Sequence, residues 1–414
     1  MKCITRRLFY LLTVGHAYLL CCFNLVLAEE IDIGILASSG GQRSFYTSFA
    51  EQYERDNPGQ KVHFIFMSDA EFKQALAEWF AQGKGPDVLN WQGGERLFQY
   101  VRKGYIADIS DVWQEENLEA HFTSGAFGTV TLDGAQFGVP ISYYQWGFYY
   151  RHSLFEKLAL SPPETWDEFL RVCQVLSENG VVPITIGAKY KWPTLAWFDY
   201  LNLRLNGLSF HQRLLKGEES FQDERVYRVL EHWKSLLDKN YFVTQYYKWK
   251  WSDAMPFLYH KMSGMTLMGN FFAGDMPARI KSDFRFFRFP VLNSAVPLYE
   301  EAPTDIFMIP QYSENKAAAK RFLKVIAKAK FQQDFNQMLG AISPNTNSKS
   351  NEDYFIQQGK LILGEAQGVS QFFDRDTNND MAQAAMDVFF DFLADKDIEG
   401  AQYKLEQARQ SFLL

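Results

Sequence analysis

Flat rings stand beside side chains able to make paired hydrogen bonds at several points in this chain, mostly where the pattern puts a loop behind a strand. Trp91, Gln92 and Glu95 close one apolar run, while Ser39, Gly41 and Gln42 follow another in a glycine-bearing loop that opens a helix, where backbone N–H groups are free to hold oxygen atoms. Tyr144 and Trp146 sit in an aromatic-rich stretch, Lys191 and Trp192 precede a helix start, and Asn270 and Phe271 lie where the Met265–Met268 strand ends. Asp305 opens a late strand, and Asp374 and Arg375 belong to Phe372-Phe373-Asp374-Arg375-Asp376-Thr377. Rings with bidentate amide, carboxylate or guanidinium groups hold a guest whose faces are apolar and whose edge carries hydroxyls. Each assignment has a plainer rival: Trp91 and one of Tyr144 and Trp146 as core rings, the glycine loop as a simple turn, Lys191 as a solvated surface charge, Asp374 and Arg375 as a local ion pair worth little at the surface.

Bond-making chemistry finds less support. Gly-x-Ser-x-Gly, His-Glu-x-x-His, Gly-x-x-x-x-Gly-Lys-Ser/Thr and Cys-x-x-Cys are all missing, and the 7 histidines show no metal-ligand spacing. Carboxylate pairs abound as in any acidic chain, and a glycosidase pair is separated in space rather than in sequence, so spacing leaves an enzyme open. No metal or cofactor is expected.

The elements that position these residues read as alternating strands and helices. Ile31–Leu36, Val62–Met67 and Pro86–Trp91 are short apolar strands separated by helices carrying Phe45, Phe49 and Tyr53, then Phe72, Leu76, Trp79 and Phe80, with Asp69 able to cap the second. This is the βαβ pattern of a largely parallel sheet, whose strand ends are where such sheets hold ligands. Further on, Thr165 and Glu168 form a capping box that starts a helix at Trp166, and Ser252 can cap another. Helices are also expected at Lys316–Lys328, 379–394 and 398–412.

At 414 residues the chain exceeds one ordinary core. Residues 1–28 read as a secretory leader: Lys2, Arg6 and Arg7, an uncharged apolar run, then Val26-Leu27-Ala28; an uncleaved anchor is the rival. Beyond residue 28 stand 39 basic and 49 acidic residues, a net charge of −10, and a single cysteine, Cys173. Nucleic-acid and anionic-membrane binding are therefore poorly supported, and the core rather than cross-linking must supply stability. Aromatic residues reach 16%, which suits large cores or sites that stack sugar rings.

Four ordered stretches carry a resemblance. Gly138-Val139-Pro140, Trp146, Tyr149-Tyr150-Arg151, Leu154-Phe155-Glu156-Lys157 and Pro163-Glu164-Thr165-Trp166-Asp167-Glu168-Phe169 resemble the lobe-crossing segment of family 1 extracellular solute-binding proteins, the sugar receptors of ABC importers. Pro86-Asp87-Val88 followed by Trp91-Gln92-Gly93-Gly94 is similar to its monosaccharide-binding members, in which an acid stands where this chain has Gln42. Gly269-Asn270-Phe271-Phe272 and Gly340-Ala341-Ile342-Ser343-Pro344 resemble its later turns. The resemblance implies a two-lobed α/β fold of the periplasmic-binding-protein type (type II-like), each lobe a mostly parallel sheet flanked by helices. It places lobe 1 at 29–139 and 290–342 and lobe 2 at 140–289 and 343–414, with crossings near Pro140, Phe289 and Ser343. It further implies a periplasmic monomer that binds a mono- or short oligosaccharide by lobe closure and delivers it to an inner-membrane ABC permease. A sensor kinase or chemoreceptor as the listener, a secreted glycoside-active enzyme and a structural envelope protein are the alternatives.

Overall fold

The computed structural model describes residues 29–37, 40–143, 145–349 and 353–412, so the leader, Ser39 and Tyr144 lie outside the described residues. In chain order the principal strands are Glu29–Leu36 (β1), Gln60–Met67 (β2), Val88–Gln92 (β3), Val139–Tyr143 (β4), Trp146–Arg151 (β5), Val182–Thr185 (β6), Ser263–Gly269 (β7), Phe284–Phe287 (β8), Tyr299–Glu301 (β9), Thr304–Met308 (β10) and Gly368–Ser370 (β11). One sheet has the order β2-β1-β3-β10-β4, a second β8-β5-β7-β6, and β9 pairs with β11.

Two separate cores form around these sheets. Ile31, Ile33 and Ile35 of β1 and Val88, Leu89 and Trp91 of β3 are buried in the first, which also takes Phe322, Phe331 and Phe335 from two helices, Lys316–Ile326 and Ala329–Leu339. The second surrounds β5 and the Leu195–Leu215 helix, where Trp197 stacks on Trp233 and Phe148 meets Phe169, Phe287 and Phe289. Much of the unusual aromatic content is thus accounted for by packing, each ring burying a large apolar area.

Each sheet contains one strand that runs against the others. β1, β2, β3 and β4 share a direction and β10 opposes them; β6, β7 and β8 share a direction and β5 opposes them. The reversed strands are the two the chain enters straight from the other lobe. A chain arriving through the gap must start at the sheet's gap-facing end and run away from it, whereas the remaining strands finish there.

The crossings differ from expectation. Val139–Tyr143 pairs with β10 in the first sheet, so the first crossing is at residues 143–146 rather than at Pro140. β4 is an edge strand, where a missing N–H is tolerated, and the carbonyl of Pro140 accepts from Gln332 Nε2 at 2.9 Å. The second crossing moves from Phe289 to residues 302–304, because Val291 still bridges Thr165 and β9 pairs with β11 before β10 joins the first sheet. Ser343 is not the third: Ile342 bridges Tyr143, Asn345 bridges Phe122, and the chain next enters the second core at Phe355.

Local signals were mostly obeyed. The Thr165–Glu168 capping box forms, and so does one at Ser68–Glu71, which displaces Asp69 from the capping position. The Trp251–Tyr259 helix is capped by Lys250 backbone rather than by Ser252. Cys173 is fully buried on the Trp166–Glu178 helix, and burial pushes its thiol pKa up.

Candidate functional site

The gap-facing end of the first sheet presents a polar row. Asp305 lies directly opposite Gln92 on one side and Ser142 on the other, so the three side chains share a face. Gln92 Oε1 and Ser142 Oγ are buried without a hydrogen-bond partner among the described residues. Tyr46, from the second turn of the Gly40–Asp56 helix, is buried beside this row. Desolvation first, and then the Asp305 carboxylate, hold its pKa well above the ordinary value, so its hydroxyl stays a neutral donor. Gly41 and Gln42 stand on the first turn of the same helix, the glycine exposed and the glutamine half-buried.

The facing end of the second sheet is aromatic. Trp146 stacks on Phe372 at 4.8 Å and meets Trp192 and Phe271 edge-on, each at 5.9 Å. Trp251 closes the group against Phe271 at 5.2 Å. Trp146 Nε1 and Asn270 Oδ1 are buried and lack a partner among the described residues. Trp192, Phe271 and Trp251 keep part of their surface exposed.

Residues 371–376 join the two ends. Arg375 Nη1 reaches Asp305 Oδ1 at 3.0 Å and the Thr304 carbonyl at 3.1 Å, and Asp374 Oδ2 takes Arg96 Nη2 at 2.7 Å. Gly94, at φ 74°, lies so close that a Cβ there would meet Asp376 Oδ1 at 2.9 Å, which requires glycine both for the conformation and for the space. Asn270 Nδ2 ties the second lobe to the first by donating to the Gly340 carbonyl at 2.7 Å.

These contacts sort the candidates. Gln92, Trp146, Trp192, Asn270, Phe271, Asp305 and Arg375 converge on the seam, and Asp374 serves it as an interlobe clasp. Trp91 does not: its ring packs on Phe72 in the first core, 3% exposed, and Nε1 donates to the Arg96 carbonyl. Glu95 begins a helix and pairs with Arg102. Lys191 is directed away, with Nζ 2.5 Å from Asp387 Oδ1 and above the Phe390 ring. Tyr46, Ser142 and Trp251 were missed; Tyr46 lies one position from the Phe45–Phe49–Tyr53 stripe and shares its helix, the only signal available.

Behind the second crossing sits a buried ionisable group of residues. Asp199 and Glu301 are both fully buried and close enough to act on one another electrostatically, and Asp199 Oδ2 accepts from Phe373 N at 2.7 Å. Burial raises both pKa values, that of Asp199 to about 8, and the neighbouring acids add to the rise. His211 Nε2 lies 3.7 Å from Asp199, and burial lowers the imidazole pKa to about 3, so the ring is neutral. A carboxyl whose folded pKa is raised stabilises fully below its unfolded value and ceases to do so as pH climbs through the folded one. Stability is therefore expected to fall progressively between about pH 4, the ordinary carboxyl range, and about pH 8, and Asp199→Asn should flatten that limb of a plot of Tm against pH. An unchanged limb would place its origin elsewhere.

Two α/β lobes, crossed by the chain at their facing ends and lined there by rings and polar atoms, define a solute-capturing protein of the two-lobed type. Residues 37–333 match the bacterial extracellular solute-binding protein family, and the chain belongs to it. It is 24% identical over 405 residues to an uncharacterized ABC transporter extracellular-binding protein of Pyrococcus horikoshii, covering 93% of this chain and 88% of that one. The multiple sugar-binding protein of Streptococcus mutans is 22% identical over 308 residues, 70% of each chain. Among solved structures, the bacterial solute receptor AcbH, described as having an exclusive preference for β-D-galactopyranose, superposes with a TM-score of 0.86 at 27% identity, over 94% of this chain and all of that one.

Proposed function

We propose that this protein captures a carbohydrate between its lobes and passes it, chemically unchanged, to an ABC permease, acting in the periplasm after loss of residues 1–28. One observation carries the reading: Gln92 Oε1, Ser142 Oγ, Trp146 Nε1 and Asn270 Oδ1 are buried without partners among the described residues at the facing ends of the two sheets, beside partly exposed rings. Each orphaned polar atom costs about 1–3 kcal/mol, and a polyhydroxylated ring offers both donors and acceptors to such a set. Sugar binding by its relatives supports the same class of ligand. Because the ligand groups come from both lobes, only the closed arrangement makes every contact, and binding selects it.

A thermal-shift screen of the full chain against mono- and oligosaccharides tests this. A matching sugar is expected to raise Tm by mass action, about 2.7 kcal/mol of added stability at a concentration 100 times Kd, and to be recovered intact after prolonged incubation. Stabilisation by amino acids or peptides and by no saccharide would overturn the proposal.

A further inference from the structure

Two lysine-and-aromatic stretches, Lys189-Tyr190-Lys191-Trp192 and Tyr246-Tyr247-Lys248-Trp249-Lys250-Trp251, are distant in sequence and adjacent in space. Ala188 N donates to the Tyr246 carbonyl and Lys189 N to the Trp249 carbonyl, both at 2.9 Å. A Cβ on Gly187 would come within 2.3 Å of the Lys250 carbonyl, so the two loops meet backbone to backbone. At their inner edge Trp192 and Trp251 both contact Phe271, at 6.2 and 5.2 Å, which makes the loops continuous with the candidate cleft wall. At their outer edge Tyr190 is 55% and Tyr247 50% exposed, two large rings displayed beside one another's loops.

The charge of this ledge departs from that of the chain. Lys189, Lys248 and Lys250 are exposed and hold no ion pair among the described residues, while the whole protein is net acidic. The acids facing the ledge come from the Asn379–Asp395 helix: Asp387 is taken by Lys191, Asp391 lies 4.0 Å from Lys404, and Asp391 and Asp395 both act on Tyr246. Lys191 itself is held at φ 62°, a conformation disfavoured for a residue with a Cβ and maintained by that ion pair and by the bond from Thr194 Oγ1 to its carbonyl.

We propose that these two loops form an exterior ledge for the units of a uronic-acid oligosaccharide that extend beyond the one held between the lobes. The tyrosine and tryptophan rings lie against the C–H faces of successive sugars, and the ammonium groups meet their carboxylates. This rests on the carbohydrate reading of the cleft and names its ligand as an anionic glycan of more than one unit.

Calorimetric titration of the full chain with mono-, di- and tri-uronides, and with neutral oligosaccharides of the same lengths at low and high salt, tests it. Affinity is expected to rise about tenfold or more from one uronide unit to three, with the gain weakened by salt. The Lys189→Gln/Lys248→Gln/Lys250→Gln variant should lose that gain while binding the monosaccharide unchanged, and Tyr190→Ala/Tyr247→Ala should lower trisaccharide affinity with a native circular dichroism spectrum. Equal affinity for one and three units, neutral chains binding as well as acidic ones, or variants indistinguishable from the parent would each overturn the ledge and leave the cleft reading standing. No binding of any saccharide would overturn the cleft reading itself.

Discussion

At pH 7, Arg204→Met is expected to lower the free energy of unfolding by about 3–5 kcal/mol, measured by chemical denaturation. Arg204 is 2% exposed on the Leu195–Leu215 helix, and its guanidinium donates to Glu300 Oε1 at 2.7 Å, to the Phe289 carbonyl at 3.1 Å and to the Tyr299 carbonyl. Methionine matches its stem but leaves a fully buried carboxyl and two carbonyls without their donor. Burial already raises the Glu300 pKa against the pull of Arg204, so the lone acid would take up a proton and part of the loss would be relieved as pH falls. Arg204→Met/Glu300→Gln should recover much of the stability, because replacing both members of a buried pair leaves no stranded charge. A double variant no more stable than the single one would show that the carbonyl contacts, not the ion pair, carry the effect.

Asp305→Asn is expected to weaken carbohydrate binding by about 10- to 100-fold, the equivalent of one charged hydrogen bond, with stability changed far less. The carboxylate lies between Gln92 and Ser142 on the sheet face and takes Arg375 across the seam. The amide keeps the shape but halves the acceptor capacity and removes the charge that holds the guanidinium. Its side chain is 27% exposed, so solvent softens the structural cost. Titration of the variant with the sugar found by thermal shift measures the loss; affinity within twofold of the parent would remove Asp305 from the site.

Signals that act within a few residues could be read without coordinates. Thr165–Glu168 closes on itself, and strand and helix identities followed from spacing, as with Ile31, Ile33 and Ile35. Pro140 lies inside β4 rather than at a crossing, because an edge strand tolerates a missing N–H and only the assembled sheet decides which strand is at the edge. Trp91 and Trp146 illustrate the same limit at the site. Both end or begin a strand at the seam, yet one ring turns into the core beside Phe72 and the other toward Trp192 and Phe271. The polar row of Gln92, Asp305 and Ser142 joins residues from three strands far apart in the chain, and no local pattern announces it.

Cys173 gives the molecule a built-in reporter. Among residues 29–412 it is the only thiol, and it lies against the second sheet with no exposed surface. In the chain without residues 1–28, a thiol-reactive dye therefore modifies the protein only when that lobe's own interior comes apart. Hinge movement of one lobe against the other leaves the reaction rate untouched, so labelling kinetics separate melting of the second lobe from the opening and shutting that accompanies capture.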